Sequence, residues 1–152
     1  MMQNTSQPIV IVDDSDDDFE ATERALKQEG TLYNPIVRFD NGLDALKYLQ
    51  ENGPASKDPE KLRPGVVLLD LNMPGMDGRE VLARVKSDPR INDIPVVILT
   101  TSDDELDIET CYRSGANTYV KKPVNMDNFF QAIQRMKTYW LEVAILPKDR
   151  PL

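Results

Sequence analysis

The chain has 152 residues, 40% of them hydrophobic and 29% charged, which fits one folded domain with its own core and not a disordered chain. Its formal net charge of −8 argues against nucleic acid as a partner, because phosphate-backbone binding depends on clustered Lys and Arg. With no histidine and one cysteine, Cys111, it has no Ser-His-Asp triad, His-ligated zinc, internal disulfide or phosphohistidine of its own.

The N-terminal residues 1–7 are polar and lack the basic and apolar regions of a signal peptide, so a flexible terminus and a cytoplasmic location are expected. No apolar run approaches the roughly 20 residues of a membrane-spanning helix. Five short runs rich in β-branched residues follow: Ile9–Val12, Ile36–Phe39, Val66–Leu69, Val96–Leu99 and Thr118–Val120. Continuous rather than alternating apolar runs predict strands buried on both faces of a parallel sheet.

Helical patterns separate them. Phe19, Thr22, Ala25 and Leu26 recur at helical spacing after the first run, and Leu43, Leu46 and Leu49 after the second. Asp16, Asp17 and Asp18 either add to an acidic pocket or, since consecutive residues cannot all face one point, lie in the first turn of the first helix, where the dipole favours negative charge. The segment 52–65 carries three prolines and reads as an exposed, mobile loop. Val81, Leu82 and Val85 mark the third helix, Leu106, Cys111 and Tyr112 the fourth. Met126, Phe129, Phe130, Ile133, Met136 and Trp140 mark the fifth, with Asn125 as its cap. Five strand–helix repeats predict an α/β doubly wound five-stranded parallel sheet with five helices, whose ligands gather at the C-terminal strand ends.

Those ends carry the chemistry. The first strand runs into Asp13-Asp14, the third into Asp70, the fourth into Thr100-Thr101, and the fifth is followed by Lys121-Lys122-Pro123. Either the carboxylates converge, in which case like charges require a hard cation such as Mg²⁺, or Asp13 and Asp14 cap a helix and Asp70 only ends a strand. A converged set, with a hydroxyl and an ammonium beside it, suits phosphoryl transfer to a carboxylate. The Lys122-Pro123 bond leaves a cis peptide open.

The motifs IVDDS at 11–15, LLDLNMPGMDG at 68–78, LTTS at 99–102 and YVKKPV at 119–124 resemble those of the receiver domains of two-component response regulators. The resemblance covers about residues 8 to 138 and implies the flavodoxin-like receiver fold. It also implies roles: Asp70 as phosphoacceptor; Asp14 as direct Mg²⁺ ligand; Asp13 acting through metal-bound water; Asn72 offering its backbone carbonyl. Thr100 would be the switch hydroxyl and Lys122 the ammonium that pairs with the phosphoryl group. Tyr119 either turns inward with Thr100 or simply packs at its strand end. On this reading the chain is not an enzyme but a phosphoacceptor that catalyses only its own phosphorylation and dephosphorylation. A histidine kinase or phosphotransfer protein supplies the phosphoryl group, since the chain has no histidine.

Residues 139–152 continue past the expected domain, with Trp140, Leu141, Val143, Ile145 and Leu146 apolar. They either fold back on their own domain or form a dimerisation arm. The acidic start, the long loop and this ending resemble stand-alone regulators paired with bacterial phytochrome kinases, which implies a homodimer and a phytochrome-type donor. Two alternatives stand beside this reading. A haloacid dehalogenase-like phosphatase would carry a second Asp two residues after the nucleophile, where this chain has Asn72. A pseudo-receiver would lack one of the acidic pair, the acceptor or the Lys.

Overall fold

The computed structural model describes residues 7–28, 32, 34–51 and 63–147. Most of the loop expected at 52–65, and residues 1–6, lie outside the described residues. Strands β1 (Ile9–Val12), β2 (Ile36–Phe39), β3 (Val66–Leu69), β4 (Val96–Thr100) and β5 (Thr118–Lys121) form one parallel sheet in the order β2-β1-β3-β4-β5. Helices α1 (Asp16–Lys27), α2 (Gly42–Glu51), α3 (Gly78–Ser87), α4 (Glu105–Arg113) and α5 (Met126–Lys137) alternate with them.

The sheet separates two cores, and strand alternation fills both. Val10, Val12, Val67, Leu69, Val96 and Ile98 face α2 and α3, with Leu46, Leu49, Val81, Leu82 and Val85 packed on them. Ile9, Ile11, Val66, Leu68, Val97 and Leu99 face α1 and α5, against Leu26, Phe129 and Ile133. Each such side chain contributes about 1.5–3 kcal/mol on burial. The three central strands are therefore buried at every position, whereas the edge strand β2 is half-buried and β5 half-buried up to an exposed Lys121.

Several periodic apolar positions stay in solvent. Leu43, Leu106 and Met126 are exposed, each in the first turn of its helix, and so is Tyr112 late in α4. Helical spacing identifies the inward face but not how far along the helix the sheet supports it.

Gln7, expected in a flexible terminus, is buried, and its side-chain amide donates to the Pro147 carbonyl at 3.0 Å. A wider, π-type helical segment, Thr138–Val143, continues α5 without a break, so no boundary falls at residue 138. Within the apolar tail, Leu141 joins the α1/α5 core and Trp140 packs half-buried against it. Leu146 is also buried, close against Gly65. Val143 and Ile145 point outward, 61% and 82% exposed. The expected arm thus divides: one half anchors to its own domain and the other is presented to solvent.

Candidate functional site

Three backbone hydrogen bonds extend the sheet pattern just past the strands and locate the site. The Asp13 N–H donates to the Phe39 carbonyl and the Asp70 N–H to the Val12 carbonyl, both at 3.0 Å. The Lys122 N–H donates to the Thr100 carbonyl at 2.6 Å. The β1–β3 register pairs Val12 with Leu69, so Asp13 and Asp70 emerge side by side. This is where the chain, having gone from β1 out to β2, crosses to β3 on β1's other side, the switch point at which such sheets bind ligands.

Asp13, Asp14 and Asp70 bring one carboxylate oxygen each to within 4.8 Å of one another. Asp13 and Asp70 are buried and Asp14 is exposed, so the group opens to solvent on one side. All-oxygen donors at this separation suit a hard divalent cation. Ser15 caps α1, accepting the Asp18 N–H at 3.2 Å, which leaves Asp13 and Asp14 free of the capping role.

Lys122 reaches in from the end of β5 and is itself buried. Its Nζ lies 2.8 Å from Asp13 Oδ2, 2.9 Å from Asp18 Oδ2 and 3.5 Å from Asp70 Oδ2. Burial alone would drive the ammonium to lose its proton. The hydrogen bonds to Asp13 and Asp18, with the charges of Asp13 and Asp70, outweigh that and raise its pKa above the ordinary lysine value. Burial holds the Asp13 carboxyl above the usual carboxylate value, although Lys122 and the Ser15 N–H both pull it down. Asp70 Oδ1 accepts the Leu71 N–H at 2.8 Å, which sets the carboxylate's rotation. The Lys122–Pro123 bond is trans.

The turn after Asp70 is built to let α3 start close by. Gly75 has φ +74°, a left-handed conformation that other residues adopt at a cost. At Gly78 the helix passes directly against the Asp70 backbone, and its N–H donates to the Leu71 carbonyl at 2.9 Å. A Cβ there would lie 2.8 Å from Leu71 Cα and closer still to the Asp70 carbonyl oxygen. Asn72 sits in this turn, exposed, two residues beyond Asp70.

Thr100 is fully buried at the end of β4. The Tyr119 ring packs half-buried against the α2/α3 core, and its hydroxyl donates to the Ser102 carbonyl at 2.9 Å. Packing and a tether to the loop after Thr100 therefore coexist at this residue.

Sequence reasoning missed two contributors, Arg38 and Arg79, and favoured for Asp18 the helix turn over the acidic pocket. Asp18 lies in the first turn of α1 as predicted, yet its carboxylate also enters the Lys122 cluster. Arg38, at β2, donates to the Asp13 carbonyl at 3.1 Å and lies 2.7 Å from the Asp16 carboxylate. Arg79 at the start of α3 makes two 2.8 Å bonds to Asp107 on α4, which also accepts the Ser102 hydroxyl at 2.8 Å. Nothing in local spacing pairs residues 28 apart on different helices. The acidic run before an apolar helix did carry a signal for Asp18.

A family model for the response regulator receiver domain matches residues 9–134. The chain belongs to that family. Response regulator Rcp1 of Synechocystis is 38% identical over 144 residues, 95% of each chain. The phosphorylated cyanobacterial phytochrome response regulator RcpA is 38% identical, with a TM-score of 0.83 over 93% of this chain and 99% of that one. The Mn²⁺-bound form of Rcp1 aligns with a TM-score of 0.82 at 38% identity, over 93% of this chain and 99% of that one. The bacteriophytochrome response regulator AtBRR, 40% identical, aligns at 0.66 over 93% of this chain and 97% of that one. The receiver's five-stranded parallel fold and its kinship with phytochrome-associated regulators are thus those expected from the motifs. Among the described residues no helix is long and apolar enough to cross a membrane.

Proposed function

We propose that this response regulator accepts a phosphoryl group on Asp70, with Mg²⁺ held by Asp13, Asp14, Asp70 and the Asn72 backbone carbonyl. The observation that carries the reading is the convergence of three carboxylates and one buried, charged Lys122 at the switch point. An Asp70 carboxylate oxygen attacks phosphorus, the donor's bond to phosphorus breaks, and Lys122 pairs with the charge of the arriving group. The bound cation would neutralise the phosphoryl oxygens that Lys122 does not reach. Thr100 offers its hydroxyl to one of them, and Tyr119, tethered to Ser102, follows the loop that Thr100 moves.

The chain has no histidine, so the donor is a histidine kinase or phosphotransfer protein, and its kinship with RcpA and Rcp1 supports a phytochrome-type kinase in the cytoplasm. Its chemistry is confined to its own carboxylate, with no turnover of a separate substrate. Titration with beryllofluoride and Mg²⁺ tests this: wild type binds, and Asp70→Asn does not. Equal binding by both would remove Asp70 from the role.

We also infer that the protein pairs with a second copy through the outward half of the tail, where the apolar residues Tyr139, Val143 and Ile145 are exposed. Truncation after Tyr139 is a poor test, because it would strip Leu141 and Leu146 from their own core. Val143→Asp with Ile145→Asp leaves that core intact. Sedimentation is expected to show a dimer for wild type and a monomer for the double variant, with little change in thermal midpoint. An unchanged mass would contradict the tail interface.

A further inference from the structure

We propose that Asp18 is a positioning residue for phosphoryl acceptance: it draws the Lys122 ammonium toward α1 and so competes for it with a phosphoryl group on Asp70. The inference rests on the reading of Asp70 as phosphoacceptor.

Lys122 is shared unequally. It is hydrogen-bonded to Asp13 and Asp18 at 2.8 and 2.9 Å, while Asp70 lies at 3.5 Å. Two of its three N–H donors are thus committed before any phosphoryl group arrives. Asp13 stands beside Asp70 at the strand ends, so attraction to Asp13 keeps the ammonium near the reacting carboxylate. Asp18 comes from α1 instead, so it holds the ammonium from a helix and not from the strand end that carries Asp70.

The carboxylate of Asp18 has no other task in the helix. Its N–H meets the Ser15 hydroxyl at 3.2 Å, and its carbonyl accepts from the Thr22 hydroxyl at 2.9 Å, both through backbone atoms. Asp16 and Asp17 already supply negative charge to the first turn. The Asp18 side chain is 46% exposed, so water compensates it when Lys122 leaves. A partner of this kind is released easily, and a phosphoryl group, with about −1.5 to −2 charge and three acceptor oxygens, is the stronger attractor. Asp18 therefore sets how much of the ammonium's charge the resting site withholds from the incoming group.

The test uses the full chain with Mg²⁺ and beryllofluoride, which occupies the phosphoryl position on a carboxylate without group transfer. Asp18→Asn should bind beryllofluoride about two- to fivefold more tightly than wild type, the scale of a partly exposed ion pair. Asp17→Asn removes the same charge from the same turn, so its affinity should stay at the wild-type value. Asp18→Glu restores the charge and should return the affinity toward wild type. Asp18→Asn should melt somewhat below Asp17→Asn, since it gives up the Lys122 ion pair as well as first-turn charge.

Unchanged or weaker binding by Asp18→Asn would overturn the proposal, and so would an equal gain in Asp17→Asn. Wild-type binding without an Asp18 effect removes this inference alone. Absence of binding in wild type removes the phosphoacceptor reading and this inference together.

Discussion

Lys122→Met is expected to slow phosphoryl acceptance from acetyl phosphate about a hundredfold, the usual effect of removing one preorganised charge from a reacting oxyanion. The same variant should lose about 3–5 kcal/mol of stability in the absence of divalent cation, because Asp13 and Asp70 remain buried without their counter-charge. The folded ammonium holds its proton more tightly than a lysine in the unfolded chain. Its contribution is therefore complete at neutral pH and is lost only as pH rises through the raised folded value. Mg²⁺ replaces part of the missing charge, so it should raise the thermal midpoint of Lys122→Met more than that of wild type. Thermal unfolding with and without Mg²⁺ checks this, alongside the rate of phosphorylation. A variant that is as stable as wild type without the cation, or that is phosphorylated at the wild-type rate, would show that Lys122 does not neutralise this site.

The second large effect is expected at Gly78. Alanine there places a Cβ against the carbonyl of Asp70 and the Cα of Leu71, both backbone atoms that cannot rotate aside. Overpacking costs about 1–3 kcal/mol, and contact with fixed backbone puts Gly78→Ala at the upper end. For a domain of this size that lowers the thermal midpoint by roughly 10 °C. Relief of the clash also pushes α3 and Asp70 apart, so beryllofluoride binding should weaken along with stability. Gly75→Ala separates the two effects. Its added Cβ meets nothing, so only the left-handed φ of +74° opposes it, about 1 kcal/mol with no displacement of Asp70. Equal losses in both variants would mean that the α3–Asp70 contact is not what positions the carboxylate.

Most of the architecture was legible because the strands carry two signals at once. Ile9–Val12 and Val66–Leu69 are apolar at every position, and each is followed directly by acid, so the same few residues report burial and the end of burial. The carboxylates, Thr100 and Lys122 could be placed on one edge by that logic alone. What local pattern could not show is reach. Asp18 was legible as a first-turn charge, but only the fold shows that this turn overlooks the end of β5. Arg79 and Asp107 meet because α3 and α4 start side by side, a relation set by the sheet order and not by the residues between them. The tail's apolar character was plain, whereas its division between Leu141 and Leu146 inside and Val143 and Ile145 outside depends on where the extended helix ends.

The most direct measurement is the intact mass of the protein after incubation with acetyl phosphate and Mg²⁺. Wild type should gain the mass of one phosphoryl group, placed on Asp70 by peptide mapping, while Asp70→Asn should gain none and a chelator should abolish the gain in wild type. A phosphoryl group of equal occupancy in Asp70→Asn, or none in wild type with Mg²⁺ present, would contradict the assignment of Asp70 as the acceptor.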